Sequence, residues 1–452
     1  MDLPYATADV PGIGGKIKLR PEDFYVQELP AYEPSGDGEH VLMEVQKVGL
    51  STFDAVARLA ELLSVRPIDI GYAGMKDRHA VTRQLLSVRG TTPEAAMAVK
   101  TPQLSVLWAA RHGNKLRLGH LRGNRFAIKI REVDPLAVTR VAPLLRRLEH
   151  TGVPNYFGEQ RFGRRGNNDL LGAALVRQDN RELARLLLGD PQRGVDDGMQ
   201  FKARTLYEQG DLEGAMKAWP RSHGLERRLL HRVIKTGKPS GAGIALDEHL
   251  RRLFVTALQS RIFNEILAER VRQGSYARLI PGDWAFKHDN GACFHVEDVE
   301  REQPRCAAWE ISPTGPLVGF RVSLADGDAG AIENAALARH RLTPAMFKVP
   351  GYHRVKGTRR PLRFRPADVE YAGGVDEHGG HITVAFTLPP GAFATVLLRE
   401  LMKNDASDRP DASESPDTSE RPDSSDDTLV SGRLQPSDDP DEAGRSEAHA
   451  SP

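Results

Sequence analysis

Between two strand-like runs the sequence reads GYAGMKDRHAVTRQ, with Lys76, Asp77, Arg78 and His79 side by side. Four consecutive ionisable residues suit a solvated turn, a nucleic-acid contact or a catalytic loop. Residue type alone does not choose between these roles, although His79 could serve as a base or a phosphate contact. A second candidate is Asn155–Asn168, NYFGEQRFGRRGNN, where Tyr156, Phe157 and Phe162 lie among Arg161, Arg164 and Arg165. Rings offer faces for base stacking and guanidiniums contact phosphates. A Gly-rich junction with its rings in the core would explain the same residues. The stretch Tyr352–Arg365 is the densest in Lys and Arg, with six of its fourteen residues basic. It reads as a surface for an RNA backbone, which gives affinity without sequence choice. By type alone, Phe24 and Phe393 are core residues, and Asn124 in RGNRF is a turn residue that could also read a base edge.

Other chemistries lack their motifs. Cys293 and Cys306 have no CxxC spacing, and the 15 histidines form no HExxH pair, so neither a disulfide framework nor a metal is expected. Gly12–Gly15 follows no strand signal. Thr236–Ser240, TGKPS, lacks the upstream glycine of a phosphate-binding loop and has proline where the helix should begin. No nucleotide, methyl-donor or other cofactor is therefore expected.

The elements that must position these residues are mixed. KIKLR (Lys16–Arg20), Phe24–Leu29, His40–Val45, Ile68–Tyr72, Thr82–Val88, Leu116–Leu118 and Arg125–Ile130 read as strands. Ser51–Val65 places Phe53, Val56, Leu59, Ala60 and Leu63 on one helical face behind a Ser/Thr cap. Ala137–His150 is a second amphipathic helix. From about Val153 the pattern turns helical, with long helices expected over Asp169–Leu188 and His249–Arg272. Strand signals return at Phe320–Leu324, Tyr371 and Ile382–Leu388. The fold class is α/β (α+β).

Length and charge agree with that division. A chain of 452 residues predicts two or three domains. The net charge of +1 averages two unlike regions. Asp405–Pro452 holds 14 Asp/Glu against 4 Arg, leaving 58 Lys/Arg against 47 Asp/Glu in residues 1–404. An excess of +11 in the body fits an anionic partner, nucleic acid first. The Asp/Ser/Pro-rich tail cannot bury enough apolar surface to offset its ordering entropy and is expected to be disordered. The sequence has no membrane-length apolar run and no signal-peptide pattern, so a cytoplasmic protein is expected.

Six segments together carry a family resemblance: KLRPEDFYVQELP, GYAGMKDRHAVTRQ, RGNRF, GVPNYFGEQRFG, FVTALQSRIFNEIL and LPPGAFATVLLREL. In that order, from about residue 16 to 402, the chain resembles the TruD family of tRNA pseudouridine synthases. The resemblance implies a mixed-sheet pseudouridine-synthase catalytic core interrupted by an inserted α/β TRUD domain. The expected divisions are 1–152 and 346–403 for the core, 153–345 for the insertion and 404–452 for the tail. The implied activity is isomerisation of uridine to pseudouridine at position 13 in the tRNA D-arm. It implies Asp77 as the nucleophile, Phe24, Asn124, Phe126 and Phe393 as substrate-binding residues, and Lys18 as an ion-pair partner of Asp77. Lys76 is a further candidate for that charge or for a phosphate.

The reaction breaks C1′–N1, turns the uracil and forms C1′–C5. It is redox-neutral and needs no cofactor. Asp77 would either attack C1′ or remove the C2′ proton, and both routes want a carboxylate kept ionised by a nearby cation. The base must leave its stack, at a cost of about a few kcal/mol offset by ring and edge contacts in the pocket. Phe24, Phe126 and Phe393 would sandwich it while Asn124 reads its edge. A monomer with tRNA as partner is expected. Two alternatives remain: an RNA-binding or RNA-folding protein on the same scaffold, and a synthase acting on another RNA.

Overall fold

The computed structural model describes residues 3–239, 245–349 and 353–404. The acidic tail lies outside them from residue 405 onward. The strands are β1 Phe24–Pro30, β2 His40–Val48, β3 Ile70–Tyr72, β4 Val81–Arg89, β5 Leu104–His112, β6 Leu121–Arg131, β7 Val153–Pro154 and β8 Trp284–Lys287. They continue with β9 Cys293–His295, β10 Ile311–Leu317, β11 Lys348–Val349, β12 His353–Arg354, β13 Thr358–Pro361, β14 Arg363–Phe364, β15 Ala367–Asp376 and β16 Gly379–Leu388. The helices are α1 Thr52–Leu63, α2 Pro93–Met97, α3 Val138–Thr151, α4 Asn168–Val176, α5 Asn180–Leu188 and α6 Gly198–Glu208. They continue with α7 Leu212–Ala218, α8 Gly224–Thr236, α9 Glu248–Arg272, α10 Val299–Ala307, α11 Gly327–Arg339 and α12 Ala394–Met402.

The first body is a mixed sheet in the order β15-β16-β6-β1-β4-β2-β5, with β3 on the far half of β4. Only β1 and β4 run parallel; the other pairs are antiparallel. Period-two alternation puts Phe24 and Val26 on one face with Phe126, Ile128 and Ile130 of β6 and Ile382, Val384 and Phe386 of β16. That face packs under Val141, Leu144 and Leu148 of α3 and Val396, Leu397 and Leu401 of α12. The β2–β4–β5 half packs on α1 through Val41, Met43, Val45, Leu59 and Leu86. A capping box fixes the start of α1: the Ser51 side chain accepts from the Asp54 N–H while Asp54 accepts from the Ser51 N–H.

The second body joins α4–α8 and α11 in one helical core, and carries a four-stranded sheet ordered β13-β10-β8-β9 that packs on α10 through Ala285, Ile311 and Cys306. The long helix α9 serves both bodies. Its Val255, Leu258 and Ile262 pack in the helical core, and its Phe263, Leu267 and Val271 pack under the main sheet.

The two pairings of β7 with β14 and β10 with β13 move one expected boundary. Thr314↔Pro361 keeps residues 358–361 in the second body, and Phe364↔Val153 closes the crossing. The chain returns to the first body at about residue 362 rather than at 346. Four local expectations also change. KIKLR forms no strand: only Lys16 bridges to Arg131, and Lys18 takes a left-handed φ of 59°. Asp169–Leu188 is two helices, broken where Gln178 adopts φ 58°. Neither Leu116–Leu118 nor Phe320–Leu324 is a strand, whereas Leu104–His112, which alternates weakly, is one.

Candidate active site

The loop of residues 73–80 joins β3 to β4. Since Val81 pairs with Tyr25, the loop lies beside the start of β1, where the PED turn delivers Phe24. Several bonds fix its path. The Lys76 N–H donates to Thr52 Oγ1 at 2.9 Å, and that hydroxyl donates to Gln84 Oε1 at 3.2 Å. The Gly49 and Gly119 N–H groups donate to the carbonyls of Ala80 (3.3 Å) and Ala73 (2.8 Å).

Asp77 is the residue this frame leaves open. Its Oδ1 sits 2.7 Å from Lys18 Nζ, and 38% of its side chain stays exposed. Lys18 is more enclosed, and its ammonium lies 4.6 Å from the centre of the Phe24 ring. The carboxylate is thus held by a direct cation partner and is still open enough to reach a ligand.

Lys76 does not share that task. Its Nζ is buried against Glu28 Oε2 at 2.5 Å, so the expectation of a second charge partner for Asp77 is corrected. Glu28 also accepts the Leu85 N–H at 3.2 Å. Burial pushes the Glu28 carboxyl above its usual range, and the charge of Lys76 opposes that rise. Opening the pair to turn Lys76 toward Asp77 would strand Glu28 in the core.

A third lysine had not been singled out from the sequence. Lys47 is fully buried beneath the loop and donates to the carbonyl oxygens of Asp77 at 3.0 Å and Leu50 at 2.6 Å. Burial lowers its pKa to about 8, against the pull of the Asp77 charge. The signal for it was present: Lys47 follows Val41, Met43 and Val45 at spacing two, on the buried face of β2.

The expected substrate residues separate by exposure. Phe24 and Phe126 are buried and pack edge-to-face at 6.3 Å, with Phe126 stacked on Phe386 at 5.5 Å. They are core rings beside the Asp77–Lys18 pair and form no open sandwich with Phe393. Phe393 is 41% exposed, and its ring neighbour is Phe157 at 6.2 Å. Asn124 faces Glu28 on β1 and Leu388 on β16, on the face of Phe126. Its Oδ1 is buried with no hydrogen-bond partner among the described residues, a costly arrangement. Gly123 lets β16 turn toward Phe393 close beside it, since a Cβ there would lie 2.4 Å from the Leu388 carbonyl oxygen.

The basic stretches are mostly structural. Arg164 and Arg165 bond to Val195 O and to Asp196 within the second body. Arg359 is buried on Glu333, and Arg363 is buried on Trp309, Ser312 and the Cys306 carbonyl. Tyr156, Phe157 and Phe162 are buried, so their rings belong to the core. The expected RNA surface over Tyr352–Arg365, of which Tyr352 lies outside the described residues, is thereby reduced to Arg354, Lys356 and Arg365, which are exposed, and Arg360, which is partly buried. Among the described residues no cluster of three His, Cys, Asp or Glu could hold a metal ion, and no helix is long and apolar enough to cross a membrane.

The family model described as "tRNA pseudouridine synthase D (TruD)" matches residues 1–401. Curated relatives named tRNA pseudouridine synthase D include one from Geotalea daltonii, 41% identical over 402 residues, covering 89% of this chain and 100% of the relative. Another, from Syntrophotalea carbinolica, is 42% identical over 402 residues, covering 89% of this chain and 99% of the relative. The crystal structure of a putative tRNA pseudouridine synthase D from Methanosarcina mazei superposes with a TM-score of 0.80 at 28% identity, covering 90% of this chain and 100% of that one. With the matched segment taking in nearly all of the described residues and the relatives covered end to end, the chain belongs to the tRNA pseudouridine synthase D (TruD) family.

Proposed function

We propose that this protein isomerises uridine to pseudouridine at position 13 in the D-arm of tRNA, with Asp77 as the nucleophile. The observation that carries this reading is the Asp77–Lys18 pair at 2.7 Å, in a loop whose backbone is fixed from below by Lys47 and Thr52. A carboxylate held this way loses little freedom when it meets C1′ or the C2′ hydrogen. Lys18 fixes the direction of the carboxylate and places a positive charge beside the reacting nucleoside. The exposed ring of Phe393 offers the flipped base a stacking face, and the unpartnered Asn124 Oδ1 offers an acceptor for the uracil N3–H. Phe24 and Phe126 act as the floor under Lys18. The two bodies correspond to a catalytic core of residues 3–152 and about 362–403 with an inserted domain between them. The protein acts in the cytoplasm as a monomer, without metal or cofactor.

The test is pseudouridine mapping by carbodiimide-stopped reverse transcription on tRNA treated with the purified protein. Wild type should give one new stop in the D-arm. Asp77→Asn should give none while retaining RNA affinity within about threefold. Normal turnover by Asp77→Asn would remove Asp77 from its role. Full rescue of a deletion strain by that inactive variant would favour the RNA-binding alternative. A stop outside the D-arm would favour another RNA.

A further inference from the structure

Two guanidiniums at the seam between the bodies have no carboxylate partner among the described residues. Arg360 Nη2 donates to Asn155 Oδ1 at 2.5 Å and to the Gly391 carbonyl at 3.0 Å, while its buried Nε has no partner. Arg161 Nε makes one long bond to Ser260 Oγ at 3.3 Å. Both face the Phe157 ring, with guanidinium carbons 4.3 Å and 5.9 Å from its centre, and Phe393 touches that same ring. Both residues are partly buried, with some surface still exposed. Burial lowers the pKa of Arg360 to about 9, with the like charge of Arg161 adding to the effect, and burial also lowers that of Arg161. The neighbouring arginines of the same two segments are satisfied: Arg165 on Asp196, Arg359 on Glu333. Like charges gathered in a partly buried place without a counterion are costly, and an anion reaching the pair would remove that cost. A third donor set adjoins it. Phe393 is the N-cap of α12 and makes no side-chain capping bond; its carbonyl takes the Val396 N–H at 3.1 Å, which leaves the Ala394 and Thr395 amides without a partner among the described residues.

We propose that Arg161, Arg360 and the open N-terminus of α12 bind one phosphodiester of the substrate RNA, next to the nucleoside whose base rests on Phe393. The proposal rests on the reading of the chain as an RNA-modifying synthase. It adds the group that fixes the backbone of the flipped nucleotide. A guanidinium pair suits a phosphate because each can present two N–H groups to its oxygens.

The test is equilibrium binding of a tRNA transcript to the full-length Asp77→Asn protein, measured across salt from about 50 to about 300 mM. Arg161→Gln should weaken binding roughly tenfold at the lowest salt and flatten the plot of log K against log salt by about 0.7 to 0.9, the share of one phosphate. Arg360→Lys keeps the charge and should flatten the slope less than Arg161→Gln, while loosening the Gly391 contact. In an otherwise wild-type chain Arg161→Gln should raise KM with kcat nearly unchanged. An unchanged slope in Arg161→Gln, with or without a fall in Tm, overturns the proposal, because a purely structural arginine alters stability and not counterion release. The outcomes are separable from those for the proposed function. A wild-type protein that forms no pseudouridine overturns the activity, while the salt slope still decides the phosphate site.

Discussion

The lysines around Asp77 differ in what they hold, so their replacements should differ in readout. Lys76 is sealed on Glu28, and removing one member of a buried pair leaves an unpaired charge in the core. Lys76→Met should therefore cost about 3 kcal/mol in urea unfolding. Glu28→Gln combined with Lys76→Met should recover most of that loss, since the amide still accepts the Leu85 N–H. Equal loss in single and double variants would show that the pair is not the cause. Lys47 should reveal itself through pH. Its pKa of about 8 in the folded chain lies below the ordinary 10.5. Between those values the unfolded chain binds the proton that the folded chain has released, so stability rises with pH across that window. Below about pH 8 the cost of the buried charge is carried in full. From pH 7.5 to pH 10 the stability of wild type relative to Lys47→Met should grow, by no more than about 3 kcal/mol. A constant difference would mean that Lys47 titrates normally. Residue identity alone left Asp77, Lys76, Arg78 and His79 equal. The pairing of Asp77 with Lys18 spans 59 positions and that of Lys76 with Glu28 spans 48. No local pattern encodes a contact at that separation, and the resemblance supplied only the first.

At the scale of elements, strong periodicity translated directly into structure. The helices expected at Ser51–Val65, Ala137–His150 and His249–Arg272 formed at 52–63, 138–151 and 248–272. The strand expected at Ile382–Leu388 formed within 379–388. The failures have a common physical origin. KIKLR alternates like a strand, but the main sheet offers it no free edge partner beyond the single bridge at Lys16. Lys18 instead turns through a left-handed conformation that aims its ammonium at Asp77. Propensity gave way there to a tertiary ion pair. RGNRF shows a second tertiary demand, since its glycine is required by a strand that arrives 265 residues later. A methyl group at Gly123 would have to displace the Leu388 backbone, because the Cβ position is 2.4 Å from its carbonyl oxygen. Gly123→Ala should cost roughly 1–3 kcal/mol. It should also lower kcat/KM by at least about tenfold, since the shift passes along the chain to Phe393. The comparison is Arg122→Ala, one residue earlier on an exposed side chain, which should leave stability within about 0.5 kcal/mol. Full activity in Gly123→Ala would show that the position of Phe393 does not depend on this crossing.

At the scale of the whole molecule, charge is divided between a basic body and an acidic tail. The match to the family ends at residue 401, and the curated relatives are covered almost completely without the tail. The last described residue, Asn404, donates to the Gly15 carbonyl at 2.8 Å, three positions before Lys18. Asn404 thus lies against the segment that leads to Lys18. The tail's net charge of about −10 acts on the same field that draws RNA to the body. Truncation after Asn404 keeps every described contact, so Tm should stay within about 1 °C. It also removes a tethered polyanion from a body carrying an excess of +11. Binding to an unrelated single-stranded RNA should tighten by roughly tenfold at low salt, and its dependence on salt should steepen. Under the proposed function, pseudouridine formation on tRNA at saturating substrate should not change, because truncation leaves the Asp77–Lys18 pair in place. The decisive measurement is the ratio of affinities for tRNA and for the unrelated RNA. A ratio that falls on truncation means that the tail screens the body against weak, non-specific partners. An unchanged ratio and unchanged salt slope would mean that the charge of the tail never reaches the RNA-binding face.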